Sequence, residues 1–109
     1  EGEVAAFAEA AGRPVLDLSA LNADLEAMLS LCSLLDGYVG VSNTNLYLRE
    51  CCGRSSHVIV PYPPEFRWMV SGTESPWFPG CRVYRQSPDS GWDDAMTALP
   101  AGGGLTPIR

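Results

Sequence analysis

The sequence predicts an α/β fold, a mostly parallel sheet covered by helices on both faces. One observation is the alternation along the chain, where short apolar stretches separated by helical patterns of about ten residues are the order that builds βαβ units. The other is size. At 109 residues a chain buries roughly two-thirds of its unfolded surface, enough for one core and not for two. Residues 1–99 are expected to form a single domain and residues 100–109 a flexible tail, because Gly102-Gly103-Gly104 and their neighbours have nothing to pack.

The elements follow in order. Val4, Phe7, Ala8 and Ala11 recur at helical spacing, and Gly12 stops the helix before Arg13-Pro14. Val15-Leu16-Asp17-Leu18 is compact and apolar enough to be a buried strand. A second helix presents Leu25, Met28, Leu29 and Cys32 on one face, with Asn22 as its cap and Asp24 in its first turn. Tyr38-Val39-Gly40-Val41 reads as a strand running into Ser42-Asn43-Thr44-Asn45. A third helix carries Leu46 to Cys52, and His57-Val58-Ile59-Val60 is the next strand, β-branched as buried parallel strands are. Pro61 to Gly80 has five prolines and reads as an ordered functional excursion that must bury Phe66, Trp68, Met69, Trp77 and Phe78. Cys81 to Arg85 returns to the sheet, and Trp92 to Leu99 closes the fold as a helix capped by Ser90.

Charge narrows the function. The chain carries 7 basic and 13 acidic residues, a net charge of −6, whereas nucleic acid and anionic membrane surfaces are bound by clustered cations. Neither is an expected partner, and no apolar run reaches the ~20 residues of a membrane span. All seven cations are Arg, which biased base composition explains, although Arg also suits bidentate phosphate contacts. Cys32, Cys51, Cys52 and Cys81 lack the paired spacing of zinc ligands and are expected as buried reduced thiols, which fits a cytoplasmic chain. The opening at Glu1, with no Met, suggests a piece of a longer protein.

In open parallel sheets, ligands bind beyond the carboxyl ends of the strands, where helix N-termini aim unpaired N–H groups. Ser42, Asn43, Thr44 and Asn45 lie at such a place, as a phosphate cradle or as a helix cap with spare polar residues. The loop after the third predicted strand leaves the same edge. It offers Arg67 as a phosphate partner and Tyr62 or Trp68 as stacking surfaces, or else these side chains simply pack the loop down. His57 and Asp17 read as scaffold. Glu65 and Glu74 are loop acids with no spacing that marks a catalytic pair, and Gly-x-Ser-x-Gly, Walker and Gly-x-Gly-x-x-Gly motifs are absent.

Three stretches together resemble a known family. Leu31 to Asn45, then Pro61-Tyr62-Pro63-Pro64-Glu65-Phe66-Arg67-Trp68, then Ser75-Pro76-Trp77-Phe78-Pro79 with Arg82-Val83-Tyr84-Arg85-Gln86, resemble the carboxyl-terminal half of heptosyltransferase-like glycosyltransferases. The likeness is to the bacterial branch often fused to tetratricopeptide repeats, and it covers roughly residues 15 to 99. It implies a Rossmann-like three-layer sandwich, one half of a GT-B architecture, that binds a nucleotide-diphosphate sugar without a metal or other cofactor. Ser42, Asn43, Thr44 and Asn45 would hold the diphosphate, with Tyr47, Tyr62, Arg67 and Trp68 as further donor contacts. The catalytic base and acceptor site would belong to a missing amino-terminal domain. Ser42 and Tyr47 stand where the family loop has an acid and a His. That departure leaves two expectations: a donor-binding domain inactive alone, or a degenerate domain serving as a structural or protein-interaction module.

Overall fold

The computed structural model describes residues 2–89 and 91–101. Four helices, α1 (Gly2–Ala11), α2 (Leu25–Leu34), α3 (Thr44–Cys51) and α4 (Asp93–Ala101), accompany three strands, β1 (Val39–Gly40), β2 (Ser56–Val60) and β3 (Cys81–Arg85). The strands form one parallel sheet in the order β1-β2-β3. Val39 lies opposite His57, and Ser56 to Val60 run beside Cys81 to Arg85 without a break in register. The chain is therefore an α/β fold. No helix among the described residues is long and apolar enough to cross a membrane.

The core sits on the sheet. Leu46, Val58, Val60, Trp68, Cys81 and Val83 form one buried cluster, and Tyr38, Tyr47 and Phe78 pack against it. The central strand β2 is buried on both faces, since His57 as well as Ser56, Val58 and Val60 are covered, as expected of a parallel strand flanked on two sides. α3 rests on β2, α2 rests on α3, and α4 rests on β3. Arg49 locks the α2–α3 pair. Wholly buried, it donates from Nη1 to the carbonyls of Cys32 and Leu35, both at 2.6 Å, and from Nε to Ser55 at 3.0 Å. The first two acceptors close the last turn of α2, where carbonyls lack intrahelical donors and the helix dipole favours a cation. Burial, with Arg54 nearby, holds the Arg49 guanidinium below its ordinary pKa.

Several expectations are corrected. Val15 to Leu18 is not a strand: the Asp17 carboxylate accepts from the Ser19 N–H at 3.0 Å and its hydroxyl at 2.6 Å, bending the chain into a 3₁₀ turn over Ser19–Ala23. Leu16 is left 81% exposed. α2 is capped by Asp24, which accepts from the Ala27 N–H, and not by Asn22. Of the apolar face of α2, Met28 and Cys32 are buried while Leu25 and Leu29 are exposed. α1 forms as its periodicity predicts and ends at Gly12, φ +67°, but none of its residues is buried. The Ser90 cap and most of the predicted tail lie outside the described residues, and Pro100 and Ala101 belong to α4.

Arg85 clamps the Pro61–Gly80 excursion from the end of β3. It donates to the carbonyls of Gly72, Met69 and Ser71 at 2.9 to 3.1 Å, and also to Trp68. Thr73 accepts from the Val83 N–H at 2.9 Å, which ties the excursion to β3. Trp68 is fully buried and Met69 and Phe78 half-buried, as expected. Phe66 and Trp77 are not. They remain exposed and meet edge to face, 5.7 Å between ring centroids, outside the core.

All four cysteines are free, with Cys32 and Cys81 buried but Cys51 exposed and Cys52 intermediate, which corrects the expectation of four buried thiols. Burial pushes the Cys81 thiol up, and so does the Glu50 carboxylate that accepts its hydrogen bond at 3.0 Å; burial likewise raises Cys32. Only thiolates alkylate quickly. Iodoacetamide at pH 8 is therefore expected to modify Cys51 first and to reach Cys32 and Cys81 only after denaturation, as mass spectrometry of the digested chain would read. Equal labelling of Cys81 and Cys51 in the folded chain would contradict this placement.

Candidate functional site

The polar residues predicted to hold a ligand do gather at the carboxyl edge of the sheet, but they divide into two groups around the start of α3. Asn43 is the cap of α3, extended at φ −157°, and its side-chain oxygen accepts from the Leu46 N–H at 3.1 Å. One of the helix's orphan donors is thereby filled. The N–H groups of Thr44 and Asn45 make no hydrogen bond among the described residues. Thr44 is exposed, and the Asn45 amide group donates to the Asn22 side chain at 3.0 Å. Together with Leu25, Met28 and Leu48, these residues line an open groove of about 410 Å³. Asn22, read as a cap, thus serves as a wall of this groove.

The second group faces the excursion. The Ser42 and Tyr47 hydroxyls lie 2.7 Å apart, and the Ser42 hydroxyl donates to Glu65 Oε1 at 3.1 Å. Because a hydroxyl has one proton, Tyr47 must then donate to Ser42. Arg67 Nη1 donates to the same Glu65 oxygen at 3.1 Å. The Arg67 guanidinium sits 4.7 Å from the Phe66 ring centroid and 6.0 Å from that of Tyr47. Tyr47 in turn stacks on Phe78 at 5.4 Å, and Phe78 on Trp68 at 5.0 Å. A ladder of rings thus runs from the buried Trp68 to the half-exposed Arg67.

Two candidate residues lie elsewhere. Trp68 is 0% exposed and offers no face to a ligand; its ring is the anchor of the excursion, which corrects its reading as a donor contact. Tyr62 is exposed at a separate hollow of about 460 Å³ lined also by Val70, Arg85 and Gln86, and its N–H donates to the Gln86 side chain at 2.8 Å. His57 and Asp17 are scaffold as expected: the His57 ring is buried 2.8 Å from the Tyr84 hydroxyl, and Asp17 holds Ser19. Glu65, which the sequence offers only as a loop acid, is the residue that joins Ser42 to Arg67. Its signal was its place two residues before Arg67 in a loop leaving the carboxyl edge, where a cation invites an acid.

Chemically, the edge presents two unfilled amides at a helix start, a cluster of hydroxyls and one arginine. Such donors are chemically suited to an anion, and the chain's single His is in the core beside the Tyr84 hydroxyl. Among the described residues no group of three or more His, Cys, Asp or Glu is placed to hold a metal ion. No family model, no curated protein and no solved structure matches the chain, so the functional reading rests on these residues and their geometry.

Proposed function

We propose that the chain is the donor-binding half of a metal-independent GT-B glycosyltransferase, a Rossmann-like domain that holds a nucleotide-diphosphate sugar against the start of α3. The observation that carries the reading is the pair of unbonded Thr44 and Asn45 amides where α3 opens at the carboxyl edge of a parallel sheet. Such amides and the helix dipole bind phosphate without a counter-ion. In this reading Arg67, linked to Ser42 through the shared Glu65 oxygen, supplies the charge contact. The resemblance of the Pro61–Trp68 and Ser75–Gln86 stretches to the glycosyltransferase family supports the choice of a nucleotide sugar over other anions. The catalytic base and acceptor site belong to a second domain, and the chain by itself transfers no sugar.

A second reading, a structural or protein-interaction module, draws support from a different observation. Asn43 spends its side chain on the cap, and Ser42 and Arg67 both spend theirs on Glu65, while Phe66 and Trp77 stand exposed beside them. The two readings part at Thr44. A tyrosine there is tolerated by an exposed first helical position but covers the amides. Calorimetric titration with nucleoside diphosphates is expected to show Thr44→Tyr binding at least about tenfold more weakly than the parent chain, with chelator present throughout. Unchanged affinity would remove the helix start from the site.

A further inference from the structure

Two of the groups a phosphate oxygen would use at this edge already converge on a single oxygen. The Ser42 hydroxyl and Arg67 Nη1 each reach Glu65 Oε1 at 3.1 Å. We infer that Glu65 is an internal competitor for the ligand, a carboxylate that occupies the anion-binding groups of the empty chain and is displaced from them by a diphosphate. The inference rests on the reading of this edge as a diphosphate site.

The parts of the contact differ in freedom. Arg67 is steadied by the Phe66 and Tyr47 rings, and Ser42 by the Tyr47 hydroxyl, so both keep their places when the carboxylate leaves. Beyond the two contacts at Oε1, the hydrogen bond that holds Glu65 is made by its backbone, whose carbonyl accepts from the Trp68 N–H at 3.1 Å. It stands at the cap position of the Phe66–Trp68 3₁₀ turn but makes no side-chain cap bond, and its side chain is 43% exposed. It can swing into water without breaking any other side-chain hydrogen bond among the described residues. An exposed pair of this kind is weak, which is what a displaceable occupant requires. The carboxylate also sets what can displace it: a diphosphate, with several negative oxygens, replaces both lost contacts, whereas a neutral sugar replaces neither.

The test titrates the 109-residue chain with inorganic pyrophosphate and, separately, with a nucleoside diphosphate. Glu65→Gln and Glu65→Ala are each expected to bind pyrophosphate roughly fivefold more tightly than the parent chain, because the competing charge is gone. Glu74→Gln removes an exposed acid of the same excursion that lines a different hollow, and its affinity is expected to change less than about twofold by long-range charge alone. Parent-like or weaker binding in both Glu65 variants overturns the inference and leaves the diphosphate site standing. So does an equal gain in Glu74→Gln, which would make the effect one of net charge. Loss of nucleoside diphosphate but not pyrophosphate also overturns it, since Glu65 would then be a contact to the nucleoside. Absence of binding in the parent and in every variant removes the site and the inference together.

Discussion

Arg49→Met is expected to cost the chain about 3 kcal/mol of stability, because it strips donors from buried carbonyls that have little other recourse. Arg49 is 1% exposed and its hydrogen bonds go to backbone, to Cys32, Leu35 and Ser55. Methionine fills much of the same volume, so the loss reports the hydrogen bonds more than a cavity. Leu35 keeps the Arg54 guanidinium at 2.9 Å, which leaves Cys32 and Ser55 as the carbonyls that suffer. In a domain of this size the change corresponds to a fall of roughly 15 °C in Tm. Arg49→Lys restores the charge but cannot span three acceptors, and it should recover less than half. Urea unfolding followed by tryptophan fluorescence reads both variants; parent-like stability of Arg49→Met would mean that α2 and α3 are joined by packing alone.

Trp68→Ala is expected to destabilise the chain by about 3–5 kcal/mol, the range for deleting a buried aromatic ring. The indole is fully covered, stacks on Phe78 and packs with Val58, Val60 and Val83. Its Nε1–H is buried without a partner among the described residues, a donor that costs rather than contributes. Trp68→Phe therefore sheds that orphan while keeping the stack, and should cost less than about half as much. The pair of variants also separates the core role from a ligand role. A folded Trp68→Phe chain should bind nucleoside diphosphates as the parent does; intact folding with lost binding would return the ring to the site.

What was legible in the sequence follows from how local each signal is. β2 is legible because a β-branched run between turn residues has little else to become, β3 because Val83-Tyr84 follows Pro79-Gly80 as the chain returns from the excursion, and α3 because Ser42-Asn43 precedes a helical pattern. Val15 to Leu18 shows the opposite. Three apolar residues around Asp17 carry no period, and the Asp17–Ser19 contact that bends the chain is as short-range as the strand signal it defeats. The excursion reads as ordered, yet which rings it buries depends on a fold 20 residues wide: Trp68 goes in, Phe66 and Trp77 stay out. The clamps were least legible. Arg49 and Arg85 bind carbonyls, and every residue has a carbonyl, so no pattern of side chains announces them. The candidate site was half legible for the same reason. Thr44 and Asn45 could be placed by helix logic, whereas the Ser42–Glu65–Arg67 contact joins two loops 23 residues apart.

The central claim is that a diphosphate lodges on the first amides of α3 without a metal. It is tested most directly by titrating the ¹⁵N-labelled chain with a nucleoside diphosphate in the presence of chelator and following each backbone amide by NMR. The account predicts saturable shifts largest at Thr44 and Asn45, with Arg67 and its neighbours moving in step. Shifts absent throughout, or confined to the hollow around Gly72, Thr73 and Arg82, would contradict it.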